Sequence, residues 1–478
     1  MQTSVSKLDS SVGAAVERLV VSHHRRRLAR IGRLGALDAP PGGFAVGDPP
    51  PRSGNRLEIL IDGAAALPRI ADEIEKAESH VHLAGWFFSP EFSLRREGPG
   101  LREFLASVAE RIDVRVLCWA GSPLPLFRPD RKQVREMRDE LTRGSRVVCA
   151  LDDKERPMHC HHEKLVIVDD RVAFVGGIDL TDYAGQRFDS HEHPPRDGLG
   201  WHDAAARIEG PAVADVAEHF LLRWHEVTGE TLPPAAPQAS AGNIELQVVR
   251  TVPENVYRRL PRGDFRILEA YQRALRSAER FIYLENQFLW SPELVTTLAE
   301  KLRRPPFDDF RLLILLPAKP SSGKDDTRGQ LGELMRADSG AGRMLACTIY
   351  QRAREDASPV YVHAKIGIVD DRWLTIGSAN LNEHSLFNDT EMNLVVQDER
   401  IVRDTRLRLW SEHLGQPVED LQVEPAVAFD RFWKPMAEEQ LHRRQQGAQP
   451  THHLVKLPHV SRRSSNLFGP LSGLLVDG

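Results

Sequence analysis

Short apolar runs closed by turn residues recur along the chain, among them "VRVLCWA" at 114–120, "KLVIVDD" at 164–170, "RLLILLP" at 311–317 and "YVHAKIGIVDD" at 361–371. Runs of this length and β-branched content predict strands. Between them lie longer segments such as "ALPRIADEIEKAES" at 66–79, whose apolar positions repeat at helical spacing. Strands alternating with helices predict α/β layers around a parallel or mixed sheet. Within 361–371, Ala364, Ile366 and Ile368 alternate, so His363 and Lys365 project together from the other face of one expected strand. A buried histidine and lysine are costly unless something anionic meets them.

The same arrangement occurs earlier. "CHHEKLVIVDD" carries His162, Lys164 and Asp169 at the spacing of His363, Lys365 and Asp370, an offset of 201 residues. Each run leads into a tight turn, Gly176-Gly177 and Gly377-Ser378, at that same offset of 201. Upstream, "AESHVHLAGWFF" from Ala77 answers "AERFIYLENQFL" from Ala278 with the offset again 201. A shared offset over about 100 residues marks an internal duplication. The expected organisation is a basic arm and Pro/Gly-rich linker over 1–55, a first repeat over 56–230, a second repeat over 244–415 and a tail over 416–478. Pro-rich "TLPPAAPQASAGN" separates the repeats.

Composition narrows the classes. The 478 residues, 41% of them hydrophobic, can fill more than one core. A formal charge of −5 argues against a general nucleic-acid binder. Cys118, Cys149, Cys160 and Cys347 lack any C-x-x-C spacing and read as free thiols of a reducing compartment. No stretch approaches the length of a membrane span and the first residues lack a signal-peptide core, so a cytoplasmic protein is expected, peripheral at the membrane if it meets one. The arm, with Arg25, Arg26, Arg27, Arg30 and Arg33, reads either as an amphipathic element for anionic lipid or as a helix packed on the protein.

Two H-x-K-x4-D motifs with these flanks resemble the phospholipase D superfamily. Segments such as "GGIDLTDYAGQRFDSHEH", "WHDAAARIEG", "YLENQF", "IGSANLNEHSLFNDTEMNLVV" and "LWSEHLG" resemble phospholipase D proper. The resemblance implies two tandem α/β/α-layered domains sharing one active site. It implies cleavage of a glycerophospholipid, with phosphatidylcholine or phosphatidylethanolamine the expected substrates, to phosphatidic acid and a headgroup alcohol, water or another alcohol being the acceptor. It assigns His162 as the nucleophile that becomes a phosphohistidine and His363 as the group that protonates the leaving alcohol and then activates water. Lys164 and Lys365 would hold the nonbridging oxygens in place of a metal ion. Asp203 and Glu391, at strand starts after each motif, are the expected acceptors for the imidazoles, and Ser378 and Asn380 supporting polar groups. The first copy departs from this pattern with Gly177 and Asp179. Asp169 and Asp370 are expected to support the site through turn hydrogen bonds. Related alternatives are a cardiolipin-synthase-like phosphatidyltransferase and a nuclease; a non-catalytic lipid scaffold would be expected to have lost a motif histidine or lysine.

Other signals carry less. Neighbours in the run His159, Cys160, His161, His162 alternate in direction and cannot converge on one ion, so neither metal nor other cofactor is expected. "SSGKDD" at 321–326 lacks the leading glycine of a P-loop and the Ser or Thr that follows its lysine. Trp86, Phe87, Phe88 and Trp290 read as core or as the lining of a headgroup pocket. A monomer acting on a phospholipid surface is the expected assembly.

Overall fold

The computed structural model describes residues 17–124, 128–156, 158–183, 185, 187–194, 199–318, 324–351 and 358–457. The tail segment "RRSSNLFGPLSGLLVDG" and the first half of "SSGKDD" lie outside them. The first half forms a seven-stranded sheet from β1 (Arg52–Ile61), β2 (His80–Gly85), β3 (Asp113–Trp119), β4 (Val148–Asp152), β5 (Leu165–Val168), β6 (Val172–Gly176) and, after the short β7 (Gly200–His202), β8 (Ala204–Glu209). Its order is β4-β3-β2-β5-β6-β8-β1, with β2, β3 and β4 parallel and the remaining pairs antiparallel.

The second half repeats that order. β9 (Ile244–Val252) and β10 (Asp264–Phe265) are followed by β11 (Phe281–Glu285), β12 (Arg311–Leu315), β13 (Met344–Tyr350), β14 (Pro359–Val362), β15 (Ile366–Val369), β16 (Trp373–Gly377) and β17 (Glu391–Val396). The sheet runs β13-β12-β11-β15-β16-β17-β9, again with one parallel trio and antiparallel pairs beyond it. β1 pairs with β9 through a register shift between Arg52 and Asn55, so strand begins inside the expected linker and joins the two sheets. In the tail, β18 (Leu454–Lys456) adds to β13, so these residues belong to the second sheet.

Helices cover both outer faces. α1 (17–30), α2 (Gly63–Glu75), α3 (Leu101–Ala109) and α4 (Arg131–Thr142) precede α5 (Ala212–Thr228); α6 (Arg266–Ser277), α7 (Pro292–Arg303), α8 (Lys324–Asp338) and α9 (Glu399–Leu414) follow. One outer core packs α2, α3 and α4 on the first sheet. A second packs α6, α7 and α8 on the second sheet. The central core holds apolar faces of both sheets together with Phe220 and Trp224 of α5 and Trp410 and Leu414 of α9. The result is an α/β/α-layered duplication with α5 and α9 between the halves. α1 packs on the protein: Leu28 is fully buried, His24 meets Glu293 at 2.7 Å and Arg27 meets Glu254 at 2.7 Å. Among the described residues no helix is long and apolar enough to cross a membrane.

One local expectation is corrected. The run 361–369 is not a single strand. β14 pairs in parallel with β7 of the other half, whereas β15 pairs with β11 and β16 of its own. The break at 363–365 is where the chain passes from one set of neighbours to the other, and the His363 and Ala364 N–H groups donate to the His202 carbonyl at 2.8 and 3.1 Å.

Candidate active site

Each motif aspartate builds a turn. Asp169 and Asp170 have φ of 55° and 53°, and Asp370 and Asp371 both have φ of 52°, so both turn positions are left-handed, a conformation aspartate tolerates better than most residues. The Arg171 N–H donates to the Val168 carbonyl and the Arg372 N–H to the Val369 carbonyl, each at 2.9 Å, closing two-residue hairpins into β6 and β16. The side chains reach back to the neighbouring strand. Asp169 accepts from the N–H groups of Glu78, Ser79 and His80 at 2.8–3.0 Å, and Asp370 from those of Glu279, Arg280 and Phe281 at 2.7–2.8 Å. Both carboxylates therefore fix the registers that aim the motif residues and stay off the site itself.

The histidines and lysines of the two motifs meet between the halves, all buried. His162 Nδ1 lies 3.0 Å from Glu391 Oε1, and His363 Nδ1 lies 2.7 Å from Asp203 Oδ2. The pairing is exchanged: each histidine takes its carboxylate from the other half. Backbone contacts enforce this. His162 N–H donates to the Thr390 carbonyl at 2.9 Å, just as His363 N–H uses His202, placing each imidazole beside the residue that follows its acceptor. Glu391 also accepts from Ser378 Oγ and, at 2.5 Å, from Ser385 Oγ. Each imidazole thus turns Nδ1 to a carboxylate and presents Nε2 on its other side.

Lys164 donates to the His162 carbonyl at 2.6 Å and lies 3.3 Å from Asp179. Lys365 donates to the His363 carbonyl and lies 3.4 Å from Gln287 Oε1, which also accepts from Asn380 at 3.3 Å. Asn380 and Asp179 are counterparts in the two repeats, so the departure noted in the sequence has a consequence: Lys164 contacts the Asp179 carboxylate, whereas Lys365 contacts the Gln287 amide that Asn380 also meets. Arg187 is a third buried cation that the motifs do not reveal, stacked 3.4 Å over the Trp201 ring. Gln287 was also missed, although it stands within "YLENQF".

Burial and charge perturb the titrations. Burial pushes Asp203 up to about 6 against the pull of Lys365, and burial pushes Glu391 up to about 8 against Lys164. Burial lowers Lys365 to about 7, opposed by Asp203. His363 is held well below the usual imidazole range by burial first, then by Lys365, Arg187, Lys164 and His162. Two imidazoles held by carboxylates, with three cations around them, can bind an anionic tetrahedral group, attack it and exchange protons with it.

The rest of the histidine run diverges. His161 turns to Asp152 at 3.1 Å and His159 to His384 at 3.0 Å, leaving His162 alone in the site. Trp86 stacks on Trp119 with centroids 6.1 Å apart, and Phe88 lies in the first outer core. Trp290 is buried and stacks on Phe288.

Residues 271–411 match the family model described as cardiolipin synthase, PLD-like domain. Over those residues the chain is similar to a phospholipase D-like domain. Phospholipase D A of Dictyostelium discoideum is 25% identical, the alignment covering 77% of this chain and 36% of that protein. The major cardiolipin synthase ClsA of Bacillus subtilis is 26% identical over 73% of this chain and 67% of its own length. The chain thus spans about a third of the first relative and two thirds of the second. Phosphatidylserine synthase of Haemophilus influenzae has a similar fold, with a TM-score of 0.52, 12% identity, and coverage of 79% of this chain and 88% of that one. The proteins similar to this chain include both phospholipases and synthases by name, so the similarity leaves the acceptor open.

Proposed function

We propose that the protein cleaves a glycerophospholipid at its distal phosphodiester bond, releasing the headgroup alcohol and passing the phosphatidyl group through a phosphohistidine to water. The observation that carries this reading is the exchanged pair of histidine–carboxylate contacts flanked by Lys164 and Lys365. His162 Nε2 attacks phosphorus while the bond to the headgroup oxygen breaks, and His363 supplies the proton that oxygen needs. Lys164, Lys365 and Arg187 offset the charge on the nonbridging oxygens. His363, now neutral, takes a proton from water, which attacks phosphorus and frees His162. Glu391 and Asp203 hold the tautomers throughout.

The depressed His363 imidazole favours a second role order, in which His363 is the neutral nucleophile and His162 the acid. A second acceptor reading is favoured by the cardiolipin-synthase family model: an alcohol such as glycerol or phosphatidylglycerol takes the group in place of water. Product analysis on mixed phosphatidylcholine, phosphatidylethanolamine and phosphatidylglycerol vesicles, with and without a primary alcohol, tests the acceptor. Phosphatidic acid as main product supports hydrolysis; diphosphatidylglycerol from phosphatidylglycerol alone supports transfer. No headgroup release from any of the three lipids would remove the phospholipid reading.

A further inference from the structure

Directly behind the His363 half of the site lies a second buried constellation that the proposed reaction does not use. Asp62 at the β1–α2 junction, His193, His202 at the end of β7 and Glu412 of α9 bring one ligand atom each within 4.8 Å of one another. Their side chains are 0–5% exposed. His202 Nδ1 lies 3.0 Å from Asp62 Oδ1 and 3.1 Å from Glu412 Oε1, and that same oxygen lies 3.4 Å from His193 Nε2. Ligands about 2.0–2.2 Å from a tetrahedral ion stand about 3.3 Å from each other, which these spacings match.

Two further observations point to a ligand. Glu412 Oε1, Asp62 Oδ2 and both ring nitrogens of His193 are buried without a hydrogen bond of acceptable geometry, held only by the ion-pair contacts at 3.1–3.4 Å that involve Glu412 Oε1 and Asp189. Each histidine also turns its other nitrogen to a carboxylate: His193 Nδ1 to Asp189 at 3.3 Å and His202 Nε2 to Glu285 at 2.9 Å. Carboxylates in that position orient and strengthen metal-bound imidazoles. Asp62 holds a left-handed φ of 63°, a strained conformation for a residue with a side chain.

We propose that Asp62, His193, His202 and Glu412 form a structural site for a divalent transition cation of the zinc class. Two carboxylates and two neutral imidazoles give a set whose charge a divalent ion cancels, which relieves the cost of burying the acids together. Three ligands come from the first half and Glu412 from the second, so the ion staples the halves together. The staple sits under the catalytic pair: Asp62 N–H donates to the Asp203 carbonyl at 2.8 Å, and the His202 carbonyl holds His363. The ion takes no part in the phosphoryl chemistry.

Metal analysis of the full chain purified from zinc-supplied cells tests the site. About one zinc per chain is expected, falling at least about tenfold in Glu412→Gln and His193→Asn and unchanged in His159→Asn, which alters the neighbouring His159–His384–Asp389 group. As a second route, wild type unfolded with chelator and refolded with cobalt alone should show the visible absorption of a tetrahedral ion with nitrogen and oxygen ligands. If the ligand variants fail to fold, X-ray absorption on the wild-type cobalt form decides by its two-imidazole signature. Metal-free wild type by both routes, metal retained in both ligand variants, or cobalt in a sulfur-containing or octahedral site would overturn the proposal.

Discussion

At the scale of single residues, three buried groups of the site, Asp203, Lys365 and Glu391, titrate near neutrality and shape the pH profile together. Asp203 must be ionised to hold the His363 ring, and with its carboxyl near 6 that support is lost as pH falls through about 6. Lys365 must be charged to hold phosphate, and with its ammonium near 7 that charge is lost as pH rises through about 7. Glu391, raised to about 8, must also be ionised to hold His162, so the profile of kcat/KM is expected to be a bell whose constants belong to the coupled set and not to single groups. Lys365→Arg should lower the maximum and remove the alkaline limb near 7, because guanidinium stays charged. An alkaline limb unmoved in that variant would reassign it. The stability signs follow the same shifts. Asp203, raised on folding, favours the fold below the usual carboxyl range and loses that contribution as pH climbs through about 6. Lys365, lowered on folding, favours the fold above the usual lysine range and loses that contribution as pH drops through about 7.

The nucleophile is decided at this scale too. Single turnover of an aryl phosphodiester, quenched at neutral or alkaline pH and mapped by peptide mass, is expected to leave the phosphoryl adduct on His162 in wild type and in His363→Asn. An adduct on His363 in wild type reverses the roles while keeping the two-histidine route. Asp203→Asn and Glu391→Gln should each lower kcat by about 10²–10⁴ through loss of the tautomer lock. Wild-type rates in both would separate these acids from the chemistry.

At the scale of the element, the two hairpins differ from ordinary type I′ turns in using aspartate twice where glycine or asparagine is common. Their side chains brace β2 and β11, so a substitution there should act on stability before chemistry. Asp370→Ala loses three backbone contacts and places a residue poorly suited to φ of 52°; it is expected to cost ~1–3 kcal/mol. Asp370→Asn, which keeps an acceptor and tolerates the turn, should cost less. Chemical denaturation of the three proteins checks the order, and per-folded-molecule activity should stay within a few-fold of wild type. A severe loss of kcat in a fully folded Asp370→Asn would put the residue in the reaction after all.

At the scale of the whole molecule, the exchange of acids makes the site a property of both halves. Residues 244–457 contain His363, Lys365 and Glu391 but neither Asp203 nor His162, and residues 17–230 lack the complementary set. Each half expressed alone should be inactive on a soluble phosphodiester, and co-expression should restore turnover where the halves associate through the central core. Substantial activity from an isolated half would contradict a shared site.

The duplication, the layered α/β class and the six motif positions were legible because a repeated offset and two-residue alternation are written in the chain itself, whereas Asp203 and Glu391 were expected only from the family resemblance. The turn role of Asp169 and Asp370 followed from aspartate's own backbone preferences. Which acid serves which histidine was not legible: it depends on β14 crossing to β7 and on Thr390 reaching His162, contacts between segments more than 150 residues apart that no local pattern encodes. Arg187 and Gln287 were hidden for the same reason, since a cation or an amide acquires its meaning only from what it is buried beside. The constellation at Asp62, His193, His202 and Glu412 is the extreme instance. Its ligands have no spacing in the sequence at all, and only the packing of α9 against the β1–α2 junction and β7 brings them within reach of one ion.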